Sequence, residues 1–239
     1  MLDLKTWNAI AGAVLMSGVV LSGPARAEDT VKIGVIAPYN TPPGEGLLNA
    51  ARMAADKINA GGGIGGKKLE LVFANDEYKA DVGANAYKKL ALSDKVVAVI
   101  GTASSGVSMA IVDQMARYKV PMISTGAATL QLSDKVASEK ERYKYWFRVM
   151  HTTDNIAASV GDFVVNYLRK EKGFDKAAIL SENAVWAQGV LPAVKKLMAD
   201  NGIKIVAEES FDLDTKDFTP MLAKIGDSGA QFILDLSSH

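Results

Sequence analysis

KVVAVIGTASSGV, residues 95–107, decides the fold. A run of Val, Ala and Ile stops at Gly101, small hydroxylated residues follow at 102–105, and helical spacing takes over from 107 to 118. This is a strand, a loop and a helix in direct succession. A strand that is apolar throughout, rather than alternately, suits a parallel sheet covered on both faces.

Outward from this stretch the same unit recurs. Apolar runs stand at 31–37, 69–74 and 120–123, separated by segments of helical period. In the first of these, Leu47, Ala51, Ala54 and Ile58 fall on one predicted sheet-facing stripe. Glycines 61–63 then end that helix, since glycine takes the left-handed conformation at little cost. The order βαβαβαβ predicts a doubly wound parallel α/β sheet. SEKERYKYWFRVM (138–150) breaks the pattern, being charged and then aromatic, with a strand at 146–149. A second series follows: a helical stripe of Ile156, Val160, Phe163, Val164, Tyr167 and Leu168, then strands at 177–180, 203–207 and 231–236 with helices at 185–199 and 218–225. Two lobes are expected, at 28–148 and 149–239, with the boundary near 148–152. The last strand is followed only by Ser237, Ser238 and His239. A buried-type strand there would leave an open sheet edge, so the second lobe reads as incomplete.

Composition narrows the function. Lys+Arg and Asp+Glu both number 27, so the concentrated basic field of a nucleic-acid binder is absent. With no cysteine and two histidines, one of them the last residue, neither a metal cluster nor a Ser-His-Asp set can be drawn, and no cofactor is expected. GGGIGG (61–66) matches the dinucleotide fingerprint only formally, because that mechanism needs strand, glycines, helix and here the order is helix, glycines, strand. At the N-terminus, Lys5, an apolar run at 9–21, Gly23-Pro24 and Ala25-Arg26-Ala27 read as an export signal cleaved after Ala27. The apolar run is shorter than the ~20 residues needed to span a bilayer.

Candidate site residues sit beyond the carboxyl ends of predicted strands, where open α/β sheets bind ligands. Ser104 and Ser105 stand at a helix start, where hydroxyls, free N–H groups and the helix dipole suit an anion; capping alone is the simpler role for a serine there. STGAAT (124–129) is a second such loop, in which Ala127 and Ala128 admit a ligand close to the backbone and Thr129 adds a hydroxyl; an ordinary turn is the alternative. Asp76-Glu77 reads as a cap and a solvated charge, and His151 as structural. Tyr39, beyond the first strand, and Trp186, at the start of a second-lobe helix, are placed to cover a ligand between the lobes, although aromatics at helical spacing are more often core.

VKIGVIAP (31–38), DKINAGGGIGGKKLELVFANDE (56–77), VVAVIGTASSG (96–106), VPMISTGAAT (120–129), YWFRV (145–149) and WAQG (186–189), in collinear order, resemble the periplasmic leucine/isoleucine/valine-binding proteins. The resemblance implies a two-lobed type I binding-protein fold, no enzymatic activity, and an exported monomer that delivers a solute to an ABC permease. It also implies that Ser105 and Thr129 hold a ligand carboxylate, with backbone groups of Gly126 or Ala127, and that Trp186 stands where the family usually has tyrosine. Three departures matter. The loop PYNTPPGEG (38–46) is short, the second-lobe motif reads Trp186-Ala187-Gln188-Gly189, and family members are longer, so the acidic residue that would hold a substrate ammonium is missing from this stretch. The ligand is accordingly an amino acid or a similar small carboxylate, such as an aromatic acid. A sensor of amides or metabolites is the alternative, and a hydrolase the third.

Overall fold

The computed structural model describes residues 30–238. The export signal read at residues 1–27 lies outside the described residues, as does His239. Two parallel sheets carry the chain. The first comprises β1 (Val31–Ala37), β2 (Leu69–Asn75), β3 (Ala98–Gly101), β4 (Met122–Ser124) and β5 (Trp146–Arg148), in the order β2-β1-β3-β4-β5. The second comprises β6 (Lys176–Glu182), β7 (Lys204–Phe211) and β8 (Phe232–Leu236), in the order β7-β6-β8. Both are doubly wound: the chain moves outward from the first strand to one side, then returns to its other side. The switch points are therefore β1/β3 in one lobe and β6/β8 in the other.

Helices α1 (Pro42–Ala60), α2 (Ala80–Leu92), α3 (Ser105–Tyr118), α4 (Leu130–Ser138) and α5 (Lys140–Tyr143) flank the first sheet. Ile36, Val99 and Met122 of the sheet pack with Leu90, Ile111 and Met115 of α2 and α3, all essentially inaccessible. Each such aliphatic stabilises the lobe by roughly 1.5–3 kcal/mol. Among the described residues the other face is covered by α1, which packs Leu48 and Ala51 on Val35 and Ala37. Its sheet-facing row is thus Leu48, Ala51 and Ala55 rather than the predicted Leu47, Ala51, Ala54 and Ile58; Ala54 and Ile58 are exposed. Apolar residues occupy both of two adjacent stripes, and period alone does not choose between them. The face emerges from under α1 along one in-register row: Val35 beside Ile100, Ile100 beside Ile123, Ile123 beside Phe147. Val35 is fully buried and Phe147 is 53% exposed.

In the second lobe, α6 (Thr153–Asp162) and α7 (Val185–Asp200) pack on one face and α8 (Thr219–Asp227) on the other. α6 starts on a capping box in which Thr152 and Asn155 satisfy each other's backbone N–H groups. It continues as a π-helical segment, Phe163–Glu171, which the α-period reading did not foresee. The wider turn rotates the stripe: Val164 stays buried, while Phe163 and Tyr167 stack on the outside with ring centroids 5.3 Å apart.

Candidate functional site between the two switch points

The β3–α3 and β4–α4 loops meet backbone to backbone. A Cβ on Gly126 would stand 2.5 Å from Ala103 Cα and 2.6 Å from Thr102 O, so only glycine fits there. Gly101 has φ 127°, and a Cβ on it would stand 2.0 Å from Ile36 O. Thr102, fully buried, braces the first loop: its hydroxyl donates to Ser104 O at 2.9 Å and accepts from Ser104 N at 3.1 Å.

The two serines differ. Ser104 is half-buried and caps α3, its Oγ accepting from Val107 N at 3.3 Å. Ser105 is 2% exposed, and its Oγ accepts from the backbone N–H of Thr129 at 3.3 Å, stitching one loop to the other. Thr129 is itself the cap of α4, with Oγ1 accepting from Gln131 N. Ala127 and Ala128 lie beneath the surface with it. The sequence-predicted residues of the two loops are therefore brought together as one unit. What they expose upward is Ala103, Thr125 and Gly126, which line a cavity of about 610 Å³.

The other walls of the cavity come from both switch points. α1 and β3 contribute Leu47 and Ile100, the segment joining the lobes contributes Met150, and the second lobe contributes Ser238 just past β8. Ser238 donates from both N and Oγ to Glu182, the last residue of β6, at 3.0 and 2.5 Å. Of the predicted aromatics, neither lines this cavity. Tyr39 packs with Leu47 and Phe73 under α1, its N–H donating to Asn75 Oδ1 at 3.0 Å. Trp186 packs on the second-lobe core. Its neighbour Val185 is the residue turned toward α3, 3.7 Å from where a Gly106 Cβ would be.

Tyr78 is, with Met150 and Ser238, among the lining residues that the sequence reading missed. Glu77 and Tyr78 both have left-handed φ, 51° and 56°, which is uncommon for bulky residues and costs energy that neighbours must offset. Asn75 Oδ1 accepts from Glu77 N and Asp76 Oδ1 from Tyr78 N, each at 3.0 Å. The phenol is half-buried, and its hydroxyl meets no partner at hydrogen-bonding geometry among the described residues. Burial raises its pKa, with Thr41 opposing and the carboxylates of Glu182 and Asp76 adding to the rise. A four-residue turn after β2 was the available signal. Asp76 takes the capping role of the pair, its Oδ1 on Tyr78 N, but it is also fully buried, its Oδ2 is unpartnered, and burial raises its pKa. Glu77 does remain in solvent, paired with Lys79 at 2.9 Å. His151 is exposed, away from the cavity.

A cavity at facing switch points of two doubly wound lobes is the arrangement of a two-lobed binding protein, and the sequence profile described as periplasmic binding protein matches residues 30–238. The chain belongs to the periplasmic binding protein family. An amino acid binding protein from Pseudomonas aeruginosa is 29% identical over 225 residues, covering 92% of this chain and 57% of the relative. A leucine-, isoleucine-, valine-, threonine- and alanine-binding protein from the same organism is 28% identical over 226 residues, covering 92% and 57%. The chain thus spans 57% of the length of these curated relatives. Among solved structures, the branched-chain amino acid transporter substrate binding protein LivJ from Streptococcus pneumoniae, in complex with isoleucine, superposes with a TM-score of 0.73 at 26% identity over 86% of this chain and 56% of that one. The solute binding protein of an ABC transporter from Rhodopseudomonas palustris, in complex with 3,4-dihydroxy benzoic acid, gives 0.74 at 25% over 87% and 55%. The family is one of binding proteins, not enzymes.

Proposed function

We propose that this chain is the binding component of an ABC importer, exported to the periplasm as a monomer, that takes up a small carboxylate with an apolar body. The observation that carries the reading is the cavity of about 610 Å³ lined from both switch points, apolar along Leu47, Ile100 and Met150 and polar at Thr125, Tyr78 and Ser238. Isoleucine and 3,4-dihydroxybenzoic acid, bound by the two similar structures, share that chemistry. Ser105 accepts from Thr129 N, so its own proton is left to donate to a carboxylate. Thr129 presents the second loop, Ala127 and Ala128 keep it compact, and Tyr78 forms the lateral wall. Residues 149–152 are the hinge, tied to the site through Val149 N to Ser124 O at 3.1 Å and Thr153 N to Ala128 O at 3.0 Å.

Calorimetry with L-isoleucine, 4-hydroxybenzoate and 3,4-dihydroxybenzoate tests the reading, with binding of at least one expected. Ser105→Ala and Thr129→Ala each remove a hydrogen bond at a charged group, worth about 1.5–3 kcal/mol, or roughly ten- to a hundredfold in affinity. Unchanged affinity in both variants would reduce the two residues to caps. Absence of binding to all three acids would sink the carboxylate assignment.

A further inference from the structure

Arg148, the last residue of β5, makes no contact with the cavity, yet its surroundings are unusual for a cation. It is half-buried, and among the described residues no carboxylate pairs with it. Its guanidinium instead donates to main-chain oxygens of the site loop: Nη1 to Ala128 O at 3.3 Å and Nη2 to Thr129 O at 2.8 Å, with Ser133 Oγ at 3.1 Å. The group lies over the Trp146 ring, 4.9 Å from its centroid, and Nε is buried without a partner. Burial lowers its pKa, with no anion working against it. A cation partly withdrawn from water and left without a counter-charge is costly. A fold that keeps one directly behind a loop has placed uncompensated positive charge there.

We infer that Arg148 is a positioning residue that orients the Ala127–Thr129 loop and biases the site toward anionic over neutral ligands. In a trans peptide the carbonyl and the following N–H point in opposite directions. Drawing Ala128 O toward Arg148 therefore aims Thr129 N–H the other way, where Ser105 Oγ accepts it. The series guanidinium, carbonyl, N–H, hydroxyl is polarised in one sense, each bond strengthening the next, and it ends on the Ser105 proton. Ala128 O also accepts from Thr153 N, the first residue of α6, so the same peptide holds the second lobe.

This inference rests on the carboxylate reading above, and its test separates the two. Full-length wild type, Arg148→Gln and Arg148→Lys are titrated calorimetrically with two acid/amide pairs, 4-hydroxybenzoate with 4-hydroxybenzamide and L-isoleucine with L-isoleucinamide. Wild type is expected to prefer an acid to its amide. Arg148→Gln should lower that preference on the order of tenfold, chiefly by weakening the acid. Arg148→Lys, which keeps the charge but loses the two-pronged grip, should lose affinity while keeping most of the preference. Equal losses for acid and amide in Arg148→Gln would make the residue a scaffold only and overturn the inference. If Arg148→Gln does not fold, Arg148→Lys decides: a preference that collapses despite the retained charge overturns it. Wild type binding acid and amide alike overturns the inference alone. Binding of neither acid removes the carboxylate reading with it.

Discussion

Leu132→Ala should lower the melting temperature of the chain by ~6–12 °C. α4 is short and buries one residue, Leu132, which is fully inaccessible. Its polar ties to the lobe include Ser133, which accepts from Arg148, and Lys135, which reaches Asp113 of α3 at 2.9 Å, with the latter two side chains 25% and 49% exposed. An ion pair that open to solvent contributes about 0.2–1 kcal/mol. Truncating a buried leucine costs about 2–5 kcal/mol, because transfer and cavity terms add. The apolar anchor therefore dominates. Taking ~3 kcal/mol, and about 2–4 °C per kcal/mol for a chain of this size, gives the stated range. The assay is a far-ultraviolet circular dichroism melt at neutral pH, with Leu132→Met and Lys135→Met alongside. Volume-conserving Leu132→Met should cost under about 1.5 kcal/mol. Thr129 caps the same helix, so the alanine variant should also loosen the ligand loop. Lys135→Met lowering the melt more than Leu132→Ala would refute the reasoning, placing α4's attachment in the ion pair.

Three further outcomes are expected. Asp76→Asn should stabilise the protein at pH 7: the raised pKa means that the folded state holds its proton more tightly than the unfolded one, a stabilisation present at low pH and lost as pH rises through the folded value. The gain, read from melts at pH 4 and pH 7, should therefore be larger at pH 7. Gly126→Ala should weaken ligand binding by at least tenfold, because its Cβ meets backbone at 2.5 Å and the two loops must separate; isothermal titration with the cognate acid checks it, and near-normal affinity would refute the contact. Tyr87→Phe should cost about 1–3 kcal/mol in a urea titration, since it removes the bond from the fully buried phenol to the partly buried Val120 carbonyl. Burial raises the Tyr87 pKa, so wild-type stability should fall as pH passes 10 and the variant should lack that component.

How far the sequence could be read differs by feature. Strand, loop and helix in VVAVIGTASSG follow from local chemistry, and the structure forms β3, the loop and α3 there. The convergence of the two loops was legible too, because both follow strands of one sheet. The stripe of α1 was not: Leu47 and Leu48, or Ala54 and Ala55, are equivalent to a periodicity, and only the position of the sheet beneath chooses. The π turn after Asp162 depends on an extra residue being accommodated in space, which no composition signals. Tyr78 escaped because its placement depends on two consecutive left-handed residues held by Asn75 and Asp76 side chains, a conformation that Glu and Tyr do not advertise. Trp186 stands where the sequence places it, at the start of a second-lobe helix, but which of it and Val185 meets Gly106 of α3 depends on the helix's rotation, and that is Val185.

The meeting of Gly126 with Ala103 divides the site into parts that can and cannot be redesigned. Gly101 and Gly126 form a rigid frame in which any side chain strikes main chain. Of the four alanines around the cavity, Ala51 is buried against the sheet, and the other three, Ala50, Ala54 and Ala103, present only methyl groups. Enlarging them to Val, Leu or Ser subtracts volume or adds a hydroxyl without disturbing the frame. A library for retuning this scaffold as a biosensor would hold the two glycines fixed and randomise the three alanines with Tyr78, so that ligand choice changes while the loops stay joined.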